Sequence, residues 1–251
     1  NLSLVYYNQS DMPEKAKEVL EKAFALDTTD ARIFLELDQL YKKLGYSVEE
    51  RIAFYEKYPE TFAKRDDVFI EYITMQNFVG NHEKAYELLM SRKFHPWEGG
   101  EGKATTQYTT SLVEQAKKAI AKEDFTSAKE LLEKALVYPE NLGEGKLEGT
   151  KDNHIHYYLG LVEKALGNED RAKELFATAS TGTDEPAGMM FYNDQPADMI
   201  MFQGMALREL GEPVASNSRF YKLISYGEAH IYDKVKMDYF AVSYPDLLIF
   251  K

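Results

Sequence analysis

The feature that most constrains this chain is a beat in its sequence. Four stretches share one layout: VFIEYITMQNFVGNHEKAYELLM (68–90), SLVEQAKKAIAKEDFTSAKELLEKAL (111–136), HYYLGLVEKALGNEDRAKELFATA (156–179) and IMFQGMALRELGEPVASNSRFYKL (200–223). In each, apolar residues recur at helical spacing, a short polar turn follows, and a second amphipathic segment begins. The turns are GNHEKA, KEDFTSA, GNEDRA and GEPVAS, and their lead positions Gly80, Glu123, Gly167 and Gly211 fall 43, 44 and 44 residues apart. A lone helical hairpin cannot bury its apolar face, so a chain with this period folds by stacking copies of one unit.

A second regularity runs independently of the turns. Ile73–Ala85, Ala116–Ala128, Gly160–Ala172 and Gly204–Ser216 are pairs twelve residues apart, three of them small on both sides, as close antiparallel helix crossings require. Four positions further on, each second helix presents a larger apolar residue: Leu89, Leu132, Phe176 or Phe220. This arrangement resembles the tetratricopeptide repeat, a helix–turn–helix of about 34 residues. The N-terminal part is looser. PEKAKEVLEKAFALD (13–27) reads as a second helix with Ala16, Leu20 and Ala23 in the small–large–small series. IFLELDQLYKKLG (33–45) and VEERIAFYEKYPE (48–60) read as a diverged pair, with Asp38 where a small residue is expected. The expected fold is all-α: a right-handed α-α superhelix, a solenoid of about six hairpins over 1–251, diverged in 1–65 and regular in 66–251, with lengthened inter-repeat loops.

Composition narrows the function. A formal charge of −12 disfavours a diffuse basic field for nucleic acid or an anionic membrane. The chain has no cysteine, which excludes disulfides, thiolate zinc sites and a cysteine nucleophile and fits a cytoplasmic location. No apolar run approaches the roughly 18 residues of a membrane helix. The chain opens with Asn1 and closes at DLLIFK, and we expect it to be a piece of a longer protein.

The 43–44-residue intervals exceed the usual repeat by nine or ten residues, and the surplus falls at FHPWEGGEGK (94–103), YPENLGEGKLEGTKDN (138–153) and STGTDEPAGMMFYNDQPAD (180–198). His95-Pro96, Tyr138-Pro139 and Tyr226-Gly227 recur on the same beat and are expected to end the second helices. Two loops carry GEGK, at 100–103 and 143–146. A phosphate-binding loop needs an earlier glycine and a Ser or Thr after the lysine. Those places hold Trp97 and Ala104 in one copy, Glu140 and Leu147 in the other, so the motif reads as turn punctuation. Loops on a rigid scaffold remain places where binding occurs.

His82, His95, His154, His156 and His230 show no metal-ligand spacing, and His154 and His156 point to different sides of a helix. No metal site and no cofactor are expected. The carboxylates sit mostly in EKA, KEL and EDRAKEL patterns of solvated helix faces, and no nucleophile motif occurs, so catalysis within this segment is not expected. In this fold the first helix of each repeat lines an inner groove. For the two C-terminal units that face carries His154, Tyr157, Tyr158, Leu161, Met201, Phe202, Met205 and Arg208, chemistry suited to a peptide or helix.

A closer resemblance rests on MIMFQGMALRELGE and FYKLISYGEAHIYDKVKMDYFAVSYPDLLIF within 199–250, with YPENLGEGKL upstream. These stretches are similar to a group of bacterial multidomain proteins in which a β-rich, sugar-binding-like N-terminal domain of uncharacterised function precedes tetratricopeptide repeats. The resemblance implies that such a domain and further helices lie outside this chain, and it carries no catalytic residue. Two expectations follow. The first is a non-catalytic scaffold that docks a protein partner or another domain of its own chain. The alternative is the accessory half of a carbohydrate-active enzyme, with Trp97 or Tyr138 stacking on a sugar beside Glu98, Glu140 or Asn141.

Overall fold

The computed structural model describes residues 2–97, 99–189, 194–233 and 250. Its regular structure among these residues is helical throughout, with no strand. The helices follow one another as pairs. α1 (Leu2–Asn8) precedes α2 (Pro13–Leu26), and α3 (Ala31–Lys43) precedes α4 (Val48–Lys57) and the short α5 (Pro59–Phe62). α6 (Asp66–Phe78) and α7 (His82–Met90), α8 (Lys103–Ala121) and α9 (Phe125–Ala135), α10 (Asn153–Ala165) and α11 (Glu169–Ala179), and α12 (Met199–Glu209) and α13 (Pro213–His230) complete the series. Two compact units result. The first reaches Gln107 and includes Phe250, and the second begins at Tyr108, within α8.

One backbone device closes five of the hairpins. Gly45, Gly80, Glu123, Gly167 and Gly211 all have positive φ, 80, 84, 59, 83 and 81°. The residue after each donates its N–H to the carbonyl five positions back: Tyr46 to Tyr41, Asn81 to Gln76, Asp124 to Ala119, Asn168 to Glu163 and Glu212 to Leu207, at 2.8–3.1 Å. The left-handed residue itself bonds the carbonyl three positions back. This is the Schellman closure, which satisfies the orphan carbonyls at a helix end and needs a residue tolerant of φ > 0. Glycine supplies that tolerance four times, and Glu123 adopts the conformation with a side chain.

The crossing positions are buried as their spacing requires. Ile73, Ala85, Ala116, Ala128, Gly160, Ala172, Gly204 and Ser216 are all inaccessible or nearly so. Residue sizes are matched across the crossing. Gly160 faces Phe176 and Gly204 faces Phe220, so closely that an added Cβ would lie 2.5 and 2.6 Å from the respective ring carbons. In the α8–α9 pair a larger Ala116 goes with a smaller Leu132.

In the first unit Asp38 resolves the register of the diverged pair. It stands seven residues before Gly45, the place held by Ile73, Ala116, Gly160 and Gly204 before their turns. The turn into α4 is one residue longer, with Ser47 as N-cap in a capping box with Glu50. That extra residue brings Arg51 and Tyr55 to the small and large positions of the second helix. Arg51 Nε and Nη2 donate to the two Asp38 oxygens at 2.8 and 2.7 Å, and Tyr55 OH donates to Oδ2 at 3.0 Å. All three residues are buried. A charged network therefore occupies the crossing that small residues fill elsewhere. Around it, Phe34 stacks on Phe54 at 4.4 Å and Tyr55 on Tyr72 at 5.6 Å; elsewhere in this unit, Phe250 meets Tyr7 edge-on at 5.3 Å.

Two expected helix ends require correction. Tyr226-Gly227 does not stop a helix: α13 runs through it to His230, Gly227 has no positive φ, and its carbonyl accepts the Ile231 N–H at 2.9 Å. Nor does His95-Pro96 directly follow α7, which ends at Met90. Arg92 there donates to the Ala63 carbonyl at 2.9 Å and pairs with Asp66, turning the chain before the proline.

Candidate functional site

The second unit places the inner-face residues on neighbouring first helices. α10 packs against α9, α11 and α12, and ion pairs tie the layers: Lys129–Glu163 at 2.7 Å and Lys164–Glu209 at 2.8 Å. The repeat register aligns side chains in rows. Glu114, Tyr158 and Phe202 form one row and Lys117, Leu161 and Met205 the next, with 44 residues between neighbours. Tyr158 meets Phe202 edge-on at 5.9 Å. Tyr158, Leu161, Phe202 and Met205 are half-buried, packed on a core of Tyr157, Ala172, Phe176, Ala179 and Ala206. Their outward portions make a contiguous apolar patch on α10 and α12.

The patch has a charged border. Lys117 Nζ donates to Glu114 at 2.7 Å, which raises the ammonium pKa. Burial raises the Tyr158 phenol, with Lys117 opposing. At the N-terminal end of α10, the His154 ring lies 5.8 Å from Phe202. Its Nδ1 is buried without a hydrogen-bond partner, and desolvation holds its pKa below the usual histidine value. His156 faces elsewhere, with Nδ1 3.0 Å from the Asp152 carbonyl oxygen.

The remaining inner-face residues divide. Tyr157 is 7% exposed and belongs to the core, where burial raises its pKa. Met201 is exposed. Arg208 turns toward α13: its guanidinium lies 5.3 Å from the Phe220 centroid and donates to Asn217 at 3.3 Å.

The second long loop is held by its own lysine. Lys146 Nζ donates to the Leu136 carbonyl at 2.8 Å, pairs with Asp152 at 2.6 Å and lies 5.3 Å from the Tyr138 ring centroid. Tyr138 also meets Tyr108 edge-on at 6.4 Å. Glu140 and Asn141 form a 3₁₀ turn with the buried Leu142, closed by Gly143 at φ 78°. Trp97, in the first unit, is half-buried over Gly100, where a Cβ would come within 2.1 Å of the indole. Glu98 lies outside the described residues.

The third loop is pinned by residues that hydrophobic patterning does not single out. Asn153 Nδ2 donates to the Ala179 and Thr181 carbonyls at 2.8 and 2.7 Å. Gln195 and Gln203 both donate to the Thr183 carbonyl, at 2.7 and 3.0 Å. Arg219 bridges Gln203 and Asp184 at 3.1 and 2.7 Å, and Lys222 pairs with Asp184 and Glu185. A legible signal existed: Gln203 and Arg219 stand 44 residues after Leu159 and Leu175, a polar pair in an apolar register.

The sequence matches no protein-family model. Among solved structures the chain is similar to PilF of Pseudomonas aeruginosa, with 14% identity, 92% of this chain and 90% of that one covered, and a TM-score of 0.45. It is likewise similar to a tetratricopeptide repeat protein from Parabacteroides merdae (13% identity, 93% and 78% covered, TM-score 0.45) and to a MamA protein (15%, 83% and 98%, 0.38). The repeat assignment rests on the hairpins themselves. No helix among the described residues is long and apolar enough to cross a membrane.

Proposed function

We propose that the chain is a non-catalytic docking scaffold whose second unit holds a segment of a protein partner, or of another domain of the same protein, on the α10–α12 inner face. The observation that carries this reading is the contiguous, half-exposed patch of Tyr158, Leu161, Phe202 and Met205, bordered by the Glu114–Lys117 pair. Aromatic and methionine side chains on adjoining helices suit an amphipathic helix or a peptide, whose apolar anchors they contact. The carbohydrate reading has less behind it, because Lys146 covers the Tyr138 ring on which a sugar would stack.

The test uses a displayed library of random 16-residue peptides, panned against the whole chain. Enriched peptides are expected to share apolar residues at i, i+3 and i+4. Their affinity falls about 30-fold or more on Phe202→Ala, the size of a hot-spot truncation of about 2 kcal/mol. Far-UV circular dichroism checks that the variant folds. Peptides that bind the variant as tightly as the parent would refute this site.

A further inference from the structure

His154 stands where the apolar patch of the second unit meets a helix end, and its surroundings suit only one of its two charge states. It is the second residue of α10, at the positive end of the helix dipole, where a cation is disfavoured. Its ring lies 5.8 Å from that of Phe202, at an interplanar angle of 50°. Its Nδ1 is sealed from solvent without a hydrogen-bond partner. In the neutral ring with the proton on Nε2, that atom is only an unfilled acceptor, at modest cost. A second proton makes it an N–H with no acceptor, on a charged ring beside an apolar face, which costs far more.

The charged and titratable groups that face the ring are Lys146 and Asp152 from the loop before α10, His156 from α10 itself and Asp198 from the start of α12. Three of the four are engaged with one another. Lys146 pairs with Asp152 at 2.6 Å, and His156 Nδ1 lies 3.0 Å from the Asp152 carbonyl oxygen. Asp198 differs. It is the N-cap residue of α12, it is exposed, and its side chain caps no backbone N–H there. The 44-residue register sets Asp198 beside His154 as it sets Phe202 beside Tyr158. A carboxylate at the rim of the patch is a ready acceptor for an imidazolium that leaves it.

We propose that His154 is an acid-sensing latch on the docking face. Neutral, its ring packs beside Phe202 and holds that end of the patch in place. Protonated, it swings out to the Asp198 carboxylate, and the patch of Tyr158, Leu161, Phe202 and Met205 loses the ring that borders Phe202. Burial already holds the His154 pKa below the usual histidine value, and a docked segment over Phe202 would bury the ring further. The free chain then binds the proton more readily than the complex. Affinity is therefore complete above the ordinary histidine pKa of about 6.5 and is lost as pH falls below it. The latch rests on the docking reading for what is released, while the movement of His154 stands without it.

The movement is tested on the chain alone, labelled with 4-fluorophenylalanine and followed by fluorine NMR from about pH 7.5 to about pH 5. The Phe202 signal, assigned with Phe202→Leu, should shift with the same midpoint as the His154 ring proton signals. His154→Leu should abolish that shift. Asp198→Asn, an exposed change that leaves the core alone, should lower the midpoint, because it removes the acceptor of the charged form; a merely structural histidine would keep its midpoint. Release is tested with a panned peptide free of histidine and acidic residues. Its affinity should fall about three- to tenfold over the same range for the parent and stay level for His154→Leu. A Phe202 signal that does not follow His154, a shift that survives His154→Leu, or a midpoint indifferent to Asp198→Asn overturns the latch, as does a peptide affinity independent of pH. If panning enriches no peptide, the docking reading fails and the fluorine titration still decides whether His154 moves.

Discussion

Gly160→Ala is the sharpest test of how the hairpins pack. A Cβ on residue 160 would lie 2.5, 2.7 and 2.9 Å from Cε1, Cδ1 and Cζ of Phe176, against about 3.5–4.0 Å for relaxed carbon contact. Phe176 is 2% exposed and its ring centroid is 6.0 Å from that of Tyr157, so it has nowhere to swing. Overpacking costs about 1–3 kcal/mol. With three ring atoms involved the upper end applies. Replacing glycine by alanine inside a helix returns about 1 kcal/mol, leaving a net loss of about 2 kcal/mol, or roughly 4–8 °C in Tm for a chain of this size.

Phe176→Leu alone opens a cavity over Gly160 and costs about 1–2 kcal/mol. The double variant Gly160→Ala/Phe176→Leu rebuilds the Ala116–Leu132 pairing of the preceding hairpin and should approach parental stability, a coupling of about 2 kcal/mol or more. Urea denaturation followed by far-UV circular dichroism measures all four corners of the cycle. A Gly160→Ala chain as stable as the parent, or a coupling within about 0.5 kcal/mol of zero, would refute the size-matching argument. Gly204→Ala is the internal control. Phe220 is only half-buried and can move aside, so the loss there should stay below about 1 kcal/mol.

Three further outcomes follow from the same geometry. Glu123→Gly relieves a side chain held at φ 59° and should stabilise by up to about 1 kcal/mol, whereas Gly167→Ala at φ 83° should destabilise by about 1–2 kcal/mol; thermal melts distinguish the signs. Asp38→Ala strands a buried Arg51 and should cost about 3–5 kcal/mol, while Asp38→Ala/Arg51→Ala restores a small–small crossing and recovers much of it, as chemical denaturation would show. His154 has a folded-state pKa held below its unfolded value by burial. The unfolded chain therefore binds the proton more readily, so this contribution is complete above the ordinary histidine pKa of about 6.5 and is lost as pH falls below it. His154→Leu should flatten the stability–pH curve between about pH 7 and 5; an unchanged slope would mean that the imidazole stays neutral or finds water.

Most of the fold was legible because its determinants are local and repeated. Gly80, Glu123, Gly167 and Gly211 mark the turns, and their common φ sign shows that the beat tracks one backbone requirement rather than composition. Even the non-glycine member kept the conformation, since the Asp124 N–H still reaches the Ala119 carbonyl at 3.0 Å. The site was legible in part. Tyr158, Leu161, Phe202 and Met205 do come together on α10 and α12, because first helices keep their register. Tyr157, one residue away from Tyr158, turns into the core, which a difference of one helical position decides. Arg208 follows Phe220 and Asn217, a choice of rotamer that spacing does not encode. The Asp38 network escaped because one inserted turn residue shifts the second helix, and no local pattern shows which residues then face each other.

The GEGK pair shows why a repeated motif need not be a repeated structure. At 100–103 it is the second glycine, Gly102, that turns left-handed at φ 74°, and the lysine opens α8. At 143–146 it is the first, Gly143, at φ 78°, and Lys146 stays in the loop, seven residues before α10. Glycine permits either choice, so the tetrapeptide itself decides nothing. What decides is the surroundings of the lysine. Lys146 joins the Leu136 carbonyl at the end of α9 to Asp152 at the start of α10, so one ammonium clamps the exit of one hairpin to the entrance of the next. The long connections are thereby tied down by named contacts: Lys146 in the second, and Asn153, Gln203 and Arg219 in the third. Loops fixed in this way hold consecutive first helices at a set separation. That separation aligns Tyr158 with Phe202 and Leu161 with Met205 on one core, so the apolar patch of α10 and α12 depends on residues that lie outside it.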